Sequence, residues 1–175
     1  MYRWILLFAV ALLWVPVSSA QISEEVSDIT GEYRVSSDAM NDLWIDNYAG
    51  DYGAYMPRYV ADSTTGDERW MIIFYGFTNE ETSMSSAESV YLRMDGQQIQ
   101  PLEVTMRTRN LDGELMEIAE TVYSESIFTR LANANEVEVS IGDEAFRLPD
   151  REEMRMIVET VNTSGNQTAS SDDSR

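Results

Sequence analysis

A cluster of aromatic residues before position 60 is the part of this chain best suited to recognising a ligand. Four tyrosines recur at spacings of four, three and four, and a tryptophan precedes them: Tyr48, Tyr52, Tyr55, Tyr59 and Trp44. Two glycines and Pro57 interrupt the helical spacing, so we predict an ordered aromatic loop over Asn47–Tyr59. Tyrosine offers rigid contact area with a polar tip, which suits recognition of a protein or a sugar.

The same tyrosines also have a purely structural explanation. In that explanation Tyr52, Tyr55 and Tyr59 cover the exposed end of the hydrophobic core, beside Trp44 and Trp70. The two explanations differ in whether the rings are exposed to solvent. The sequence leaves both open.

Catalytic chemistry is limited by the residue types that the chain lacks. It contains no His, Cys or Lys, which removes the usual general base, the thiol nucleophile and the Ser–Lys dyad. A pair of carboxylates remains, as in glycoside hydrolysis, where burial keeps one acid protonated. Glu120 is the best candidate because it interrupts an otherwise apolar strand face. A structural acid paired with arginine explains it more simply, and we assign no catalytic residue.

No metal or cofactor site is predicted. The stretch Asp46–Asp51 resembles half of a calcium loop, but its acids do not have the spacing of calcium ligands. The common ligands of zinc, His and Cys, are absent. No glycine-rich motif that cradles a phosphate occurs either.

The charge is strongly acidic. The chain has 31 Asp and Glu against 12 basic residues, all of them Arg, for a net charge of −19. A dispersed acidic surface favours solubility in a saline environment, and its alternative use is attraction of a basic partner. Nucleic acid is excluded as a partner because phosphate contacts require clusters of Lys and Arg.

The first 20 residues have the organisation of a signal peptide. Arg3 precedes the apolar run Trp4–Val15, Pro16 breaks it, and Ser18-Ser19-Ala20 supplies small residues for cleavage. We predict cleavage after Ala20 and export to the periplasm or the extracellular space. An uncleaved anchor is the alternative, and no later segment is apolar enough to span a membrane.

The stretch Glu68–Phe77 organises the predicted fold. Both of its alternating faces are apolar, which is typical of a central strand covered on both sides. Its predicted neighbours are Tyr59–Ala61, reached through the turn Ser63–Asp67, and the hairpin that begins with Glu88–Met94. The C-terminal helix is expected on one face. The second face of this strand would be covered by the tyrosine segment, by the turn Met40–Ile45 or by a second copy of the chain.

Alternation and helical spacing place the other elements. The predicted strands are Glu88–Met94, Leu102–Thr108, Leu115–Tyr123, Glu136–Ile141 and Ala145–Leu148. Asp95-Gly96 is expected to return the first of these into the second, with Leu102, Val104 and Met106 facing the core. The predicted helices are a turn at Met40–Ile45, a helix capped by Ser124 or Ser126 that ends at Asn133, and Asp150–Val161.

Together these elements predict one α+β domain, with an antiparallel meander sheet and helices packed on one face. The predicted organisation is a signal peptide at 1–20, an acidic lead-in at 21–45, the domain at 46–162 and a disordered polar tail at 163–175. Tyr33 and Val35 of the lead-in are also compatible with a short edge strand.

The functional hypothesis is a non-catalytic exported module that binds a protein or a component of the cell envelope. One alternative is a glycan hydrolase that uses carboxylates only. The other is an acidic inhibitor of a basic exported enzyme. The sequence leaves the oligomeric state open.

Overall fold

The structure is a computed structural model that describes residues 21–38, 40–43, 52–78, 90–111, 113–142 and 144–171. For a few residues at the margins of these ranges it describes only the backbone. The predicted signal peptide therefore lies outside the described residues. Within them, none of the helices has the length and apolar character needed to cross a membrane.

The described residues form eleven strands and two helices. The strands are β1 (Ile22–Val26), β2 (Glu32–Ser37), β3 (Asn41–Leu43), β4 (Tyr52–Asp62), β5 (Glu68–Thr78), β6 (Val90–Met94), β7 (Gln97–Ile99), β8 (Glu103–Leu111), β9 (Glu114–Tyr123), β10 (Val137–Ile141) and β11 (Glu144–Arg147). The helices are α1 (Glu125–Asn133) and α2 (Glu152–Ser171). The α+β class is thus confirmed.

The strands form two antiparallel sheets. The large sheet has the order β1-β2-β4-β5-β9-β8, with β3 also paired to β4. The small sheet has the order β11-β10-β6-β7. Both helices and the small sheet pack on the same face of the large sheet, and that face carries Trp70, Ile72 and Phe74. We call it the inner face.

The prediction that Glu68–Phe77 is a central strand is confirmed, because β5 pairs with β4 on one side and with β9 on the other. The predicted neighbour Glu88–Met94 is wrong, since β6 belongs to the small sheet. A tight turn fixes only the strand that follows it. The Asp95-Gly96 turn, with φ of 47° and 84°, joins β6 to the short β7 and carries no information about β5.

Aromatic contacts join the layers of the core. The Trp70 ring lies 4.6 Å from that of Tyr59 and 5.3 Å from that of Phe128 on α1. The ring of Phe74 lies 5.9 Å from that of Phe146 on β11. Each distance falls in the range in which aromatic pairs attract one another, so β5 binds both covering layers.

The predicted inward face of Leu102–Thr108 is confirmed only for Met106, which lies on the inner face and packs against the core; the predicted pairing of this stretch with β6 is wrong. This stretch contributes to β8, the last strand of the large sheet, and not to the return strand of β6. Leu102 is 74% exposed and Val104 39% exposed. Alternation alone cannot distinguish a strand facing a core from one at the edge of a sheet, because the period of two is the same for both.

The N-terminal segment 21–45 contributes strands to the large sheet. β2 lies between β1 and β4, with Val35 buried opposite Tyr59. The helical turn predicted at Met40–Ile45 is wrong over Asn41–Leu43, which forms β3 beside β4. Three residues are too few for a helical spacing to be distinguished from an alternating one.

The two long helices form where they were predicted. Ser124 caps α1, with its hydroxyl accepting from the Ile127 N–H at 3.4 Å, and Phe128 and Leu131 are buried. Met154 and Ile157 of α2 are buried in the core. The predicted helix ends at Val161, whereas α2 continues to Ser171. Extending an existing helix costs far less than starting one.

Candidate functional site

The predicted aromatic loop is wrong from Tyr52 to Tyr59, because these residues belong to β4. Tyr55 and Tyr59 are 0% and 3% exposed. Their rings belong to the inner face, so neither is accessible to a ligand. Trp44 and Tyr48 lie outside the described residues, as does the side chain of Tyr52. Ligand binding by these last three residues stays a prediction.

The strand spacing explains the burial of the two tyrosines. Residues four apart share a face of a strand as they share a face of a helix, so Tyr55 stands opposite Phe74 and Tyr59 opposite Trp70. Pro57 is tolerated between them because β3 pairs with β4 only up to Tyr55 and β2 only from Arg58 onward. Its missing N–H falls in the gap between those two partners.

The other face of the large sheet is the stronger candidate for a site. We call it the open face, because in the described part of the chain neither a helix nor the small sheet packs on it. Its apolar centre comes from β4, β5 and β9: Met56, Met71, Ile73, Tyr75, Phe77, Met116, Ile118 and Val122. Ile73 is 2% exposed, whereas Met56, Tyr75, Phe77, Met116 and Val122 around it are only half-buried.

Arginines surround this apolar centre. The register places five on the open face, half of the ten arginines among the described residues: Arg34, Arg58, Arg69, Arg107 and Arg109. Arg34 and Arg69 approach Glu32 at 3.5 and 3.9 Å. Within the described chain, Arg58 and Arg109 form no ion pair. The same register also places six acids on this face: Glu25, Glu32, Asp62, Glu103, Glu114 and Glu120. Its charges are therefore mixed and nearly balanced in a protein that is strongly acidic overall.

Arg58 and Tyr75 form the polar part of this face. The Arg58 guanidinium donates to the Met56 sulfur at 3.3 Å, so the side chain lies along β4 over the apolar centre. Burial raises the pKa of the Tyr75 hydroxyl and the negative charge of Glu120 adds to the rise, whereas the positive charges of Arg58 and Arg109 act in the opposite direction. The Arg58 guanidinium is the group on this face that a carboxylate or another anion would complement.

Glu120 has the structural role that the sequence offered as an alternative to catalysis. Its carboxylate accepts from Arg107 at 2.9 Å on the neighbouring strand. A second carboxylate at glycosidase distance is required for the hydrolase hypothesis. The ion pair with Arg107 accounts for the position of Glu120. As for metals, no group of three or more acids among the described residues is arranged to hold an ion.

A cavity of about 330 Å³ lies where the β6–β7 turn meets the end of α1. Its lining includes Arg130 and one carboxylate, Asp95. The Asp95 side chain already accepts from the Glu136 N–H at 3.0 Å. This cavity does not offer the acid pair of a glycosidase, because it has a single carboxylate and that carboxylate is already hydrogen-bonded to the backbone.

A buried carboxyl was not found by sequence reasoning. Glu153 on α2 is 7% exposed. When the Asn41 amide is assigned with its nitrogen toward this carboxylate, as the surrounding donors and acceptors require, it donates to both oxygens at 3.2 and 3.3 Å. Burial raises the pKa of Glu153, and the nearby charge of Asp150 adds to the rise. The amphipathic spacing of α2 places Glu153 beside Met154 at the margin of the core, which is the signal that identifies it.

The raised pKa of Glu153 gives a testable dependence on pH. Its contribution to stability is complete below the unfolded pKa of 4.5 and is lost as pH rises through the folded value. We expect Glu153→Gln to raise the free energy of unfolding at pH 7 by about 1 kcal/mol or less. This gain is measured as a higher urea midpoint. At pH 4 the gain should vanish. The other carboxylates of the chain also titrate near the lower end of this range, so the effect of Glu153 is read as the difference between the variant and the original protein at each pH.

The matched control is Glu152→Gln on the exposed side of the same helix. It removes one charge from the same turn without touching Asn41. The charge of Glu152 is the smallest of the causes that raise the pKa of Glu153, so this variant should change the pH profile far less than Glu153→Gln. Equal profiles for Glu153→Gln and the original protein would contradict the assignment.

Comparison with family models, with curated proteins and with solved structures gave no match for this chain. The apolar and arginine side chains of the open face are the features of this chain that indicate a function.

Proposed function

We propose that this protein is a non-catalytic module of the exported compartment that binds a protein or envelope component through the open face. The observation that carries the proposal is the combination on one sheet face of half-buried apolar side chains with Arg58, which has no acidic partner among the described residues. Apolar and aromatic side chains with arginine are the groups that dominate binding energy at protein interfaces.

The chemistry of the partner follows from the charges on this face. A segment with apolar side chains against Tyr75 and Met116, and a carboxylate near Arg58, would match both parts of the surface. The arginine would then form the charge-assisted hydrogen bonds to a carboxylate that no described residue of this chain provides. A partner without an acidic group would leave Arg58 unpaired on binding and lose affinity.

The experiment compares two charge reversals at opposite sides of the molecule. Arg58→Glu alters the open face, and Arg130→Glu on α1 makes the same change of charge far from it. Each variant and the original protein are immobilised and exposed to the exported fraction of the native cells. Captured proteins are quantified by mass spectrometry, purified and remeasured pairwise by calorimetry. Circular dichroism checks that each variant is folded.

We expect a captured partner whose affinity falls at least tenfold with Arg58→Glu and stays unchanged with Arg130→Glu. Equal affinities for both variants would show that the open face is not the binding surface. A basic partner attracted to the acidic surface would bind Arg58→Glu more tightly, with binding that weakens steeply in salt. That result would support the inhibitor hypothesis instead.

A further inference from the structure

The free edge of β8 is built to pair with another strand. β8 is the last strand of the large sheet, and in the described chain β9 is the element against which it packs. Its nine residues pair with β9 without interruption from Glu103–Val122 to Leu111–Glu114. The edge therefore has no bulge to disrupt pairing, and proteins commonly use bulges to protect edges.

The direction of the free hydrogen-bonding groups follows from the turn between β8 and β9. Leu111 and Glu114 close this turn, and the closing pair of a two-residue hairpin is hydrogen-bonded across the strands. Alternate residues of β8 consequently turn their N–H and C=O groups outward. These residues are Val104, Met106, Thr108 and Asn110.

Unburied apolar side chains concentrate at the same edge. Three of the six large apolar residues that are exposed in the described chain lie on β8 or beside it: Leu102, Val104 and Leu111. Native edge strands are normally kept apart by charge. Here the charged residues Glu103 and Arg109 have no ion-pair partner among the described residues, and both are exposed.

We propose that β8 pairs antiparallel with β8 of a second copy, about a two-fold axis at Met106. In this register Glu103 stands opposite Arg109 of the second copy, and by symmetry Arg109 stands opposite its Glu103. Val104 then stands opposite Thr108, and Met106 opposite its own counterpart. Such an interface is isologous and closed, as in most dimers.

The charges select this register over its neighbours. A shift that centres the axis on Arg107 places two arginines opposite each other, and centring on Thr108 places Arg107 opposite Arg109. Like charges directly opposite in a sheet are destabilising. Centring on Thr105 places Glu103 opposite Arg107, which is already bound to Glu120. The register centred on Met106 places Glu103 opposite Arg109 on both sides of the axis, so each of these two side chains gains an ion-pair partner.

The proposed dimer has a consequence for the large sheet. A two-fold axis perpendicular to a sheet keeps each face on its own side, so the two open faces would lie next to each other in one continuous surface. The dimer inference is independent of the proposed function, because it rests on the edge of the sheet and not on its open face.

A charge-exchange cycle tests the pairing. The protein is purified from cells that express the full chain, and its mass is measured by analytical ultracentrifugation over a range of concentrations. We expect a dimer that dissociates on dilution. Glu103→Arg and Arg109→Glu should each weaken it roughly tenfold, because each replaces two attractive pairs by two repulsive ones. The double variant should recover the original dissociation constant.

A backbone variant provides a test that does not depend on charge. Thr108→Pro removes an outward N–H, so it should weaken the dimer, whereas Thr108→Ala removes only the side chain and should not. Circular dichroism checks that both variants keep the strand content. A protein that is monomeric at all concentrations would overturn the proposal. So would a double variant that dimerises no better than the single ones.

Discussion

Replacing Trp70 by aspartate should leave a chain that does not fold. Trp70 is 3% exposed on β5 and contacts aromatic rings of β4 and α1. Loss of a buried tryptophan costs about 3–5 kcal/mol, and an unpaired buried carboxylate adds a penalty of several kcal/mol. Total stability of a domain is about 5–15 kcal/mol, so the sum exceeds or consumes it.

A series of variants makes this result measurable even when the aspartate variant cannot be purified. Trp70→Phe and Trp70→Ala should lower the free energy of urea unfolding in graded steps, followed by circular dichroism. Arg69→Ala is the control, since that side chain is 50% exposed, points to the opposite face and forms only a 3.9 Å ion pair. A folded Trp70→Asp variant with an unchanged urea midpoint would show that β5 is not the centre of the core.

Alkaline unfolding should be steep, because buried tyrosines cannot ionise in place. Burial raises the pKa of the hydroxyls of Tyr55, Tyr59 and Tyr123 above the ordinary value of 10.0. The folded state binds these protons more tightly than the unfolded chain. Their contribution to stability is therefore complete below pH 10 and is lost as pH rises toward the folded values.

The size of the alkaline effect follows from the fully buried groups. Tyr55 and Tyr123 together should cost about 3 kcal/mol between about pH 9 and pH 11, at about 1.4 kcal/mol each. The chain lacks Cys and Lys, so tyrosine alone among its side chains titrates in this range. Urea midpoints between about pH 9 and pH 11, with tyrosinate absorbance recorded in parallel, measure the loss.

Tyr55→Phe separates this effect from general alkaline damage. It should reduce the dependence of stability on pH by the contribution of one tyrosine, about 1.4 kcal/mol between pH 9 and pH 11. It should also stabilise the protein by about 1 kcal/mol at pH 7, because the Tyr55 hydroxyl is buried without a hydrogen-bond partner. An unchanged alkaline slope in this variant would contradict the assignment to buried tyrosines.

The sequence predicts most of the local structure of this protein because the relevant signals are local. Ser124 marks the start of α1 through its capping hydroxyl, and the apolar positions of β6 and β10 alternate as buried positions do in the structure. The apolar character of both β5 faces also identified the strand that lies between two neighbours. These features depend on residues close together in the chain.

Sheet pairing was harder to predict because it joins distant residues. β5 pairs with β9 and not with the nearer β6, and no turn signal connects them. Which face of β5 is covered by the helices and the small sheet is hard to predict for the same reason. The two faces of β5 are equally apolar in sequence, so only the positions of Phe128 and Phe146 show which one carries the core.

The candidate site was predicted only in part for a related reason. Spacings of four fit a strand face as well as a helix face, so Tyr55 and Tyr59 appeared suitable for a loop or for a core. The sequence gives no signal that singles out Arg58, which lies between the two tyrosines. Its position on the opposite face of β4, away from the tyrosines, becomes visible once the strand is known.

The path of the chain between the two sheets determines how this protein must fold. The chain passes from the large sheet to the small one after β5, returns before β8 and leaves again after β9. Neither sheet can be completed until a distant segment has been added, and such non-local topologies fold on the millisecond-to-second scale. The two sheets should therefore form in a single cooperative step, and proteolysis at any point between β6 and β9 would leave two fragments, neither of which contains a whole sheet.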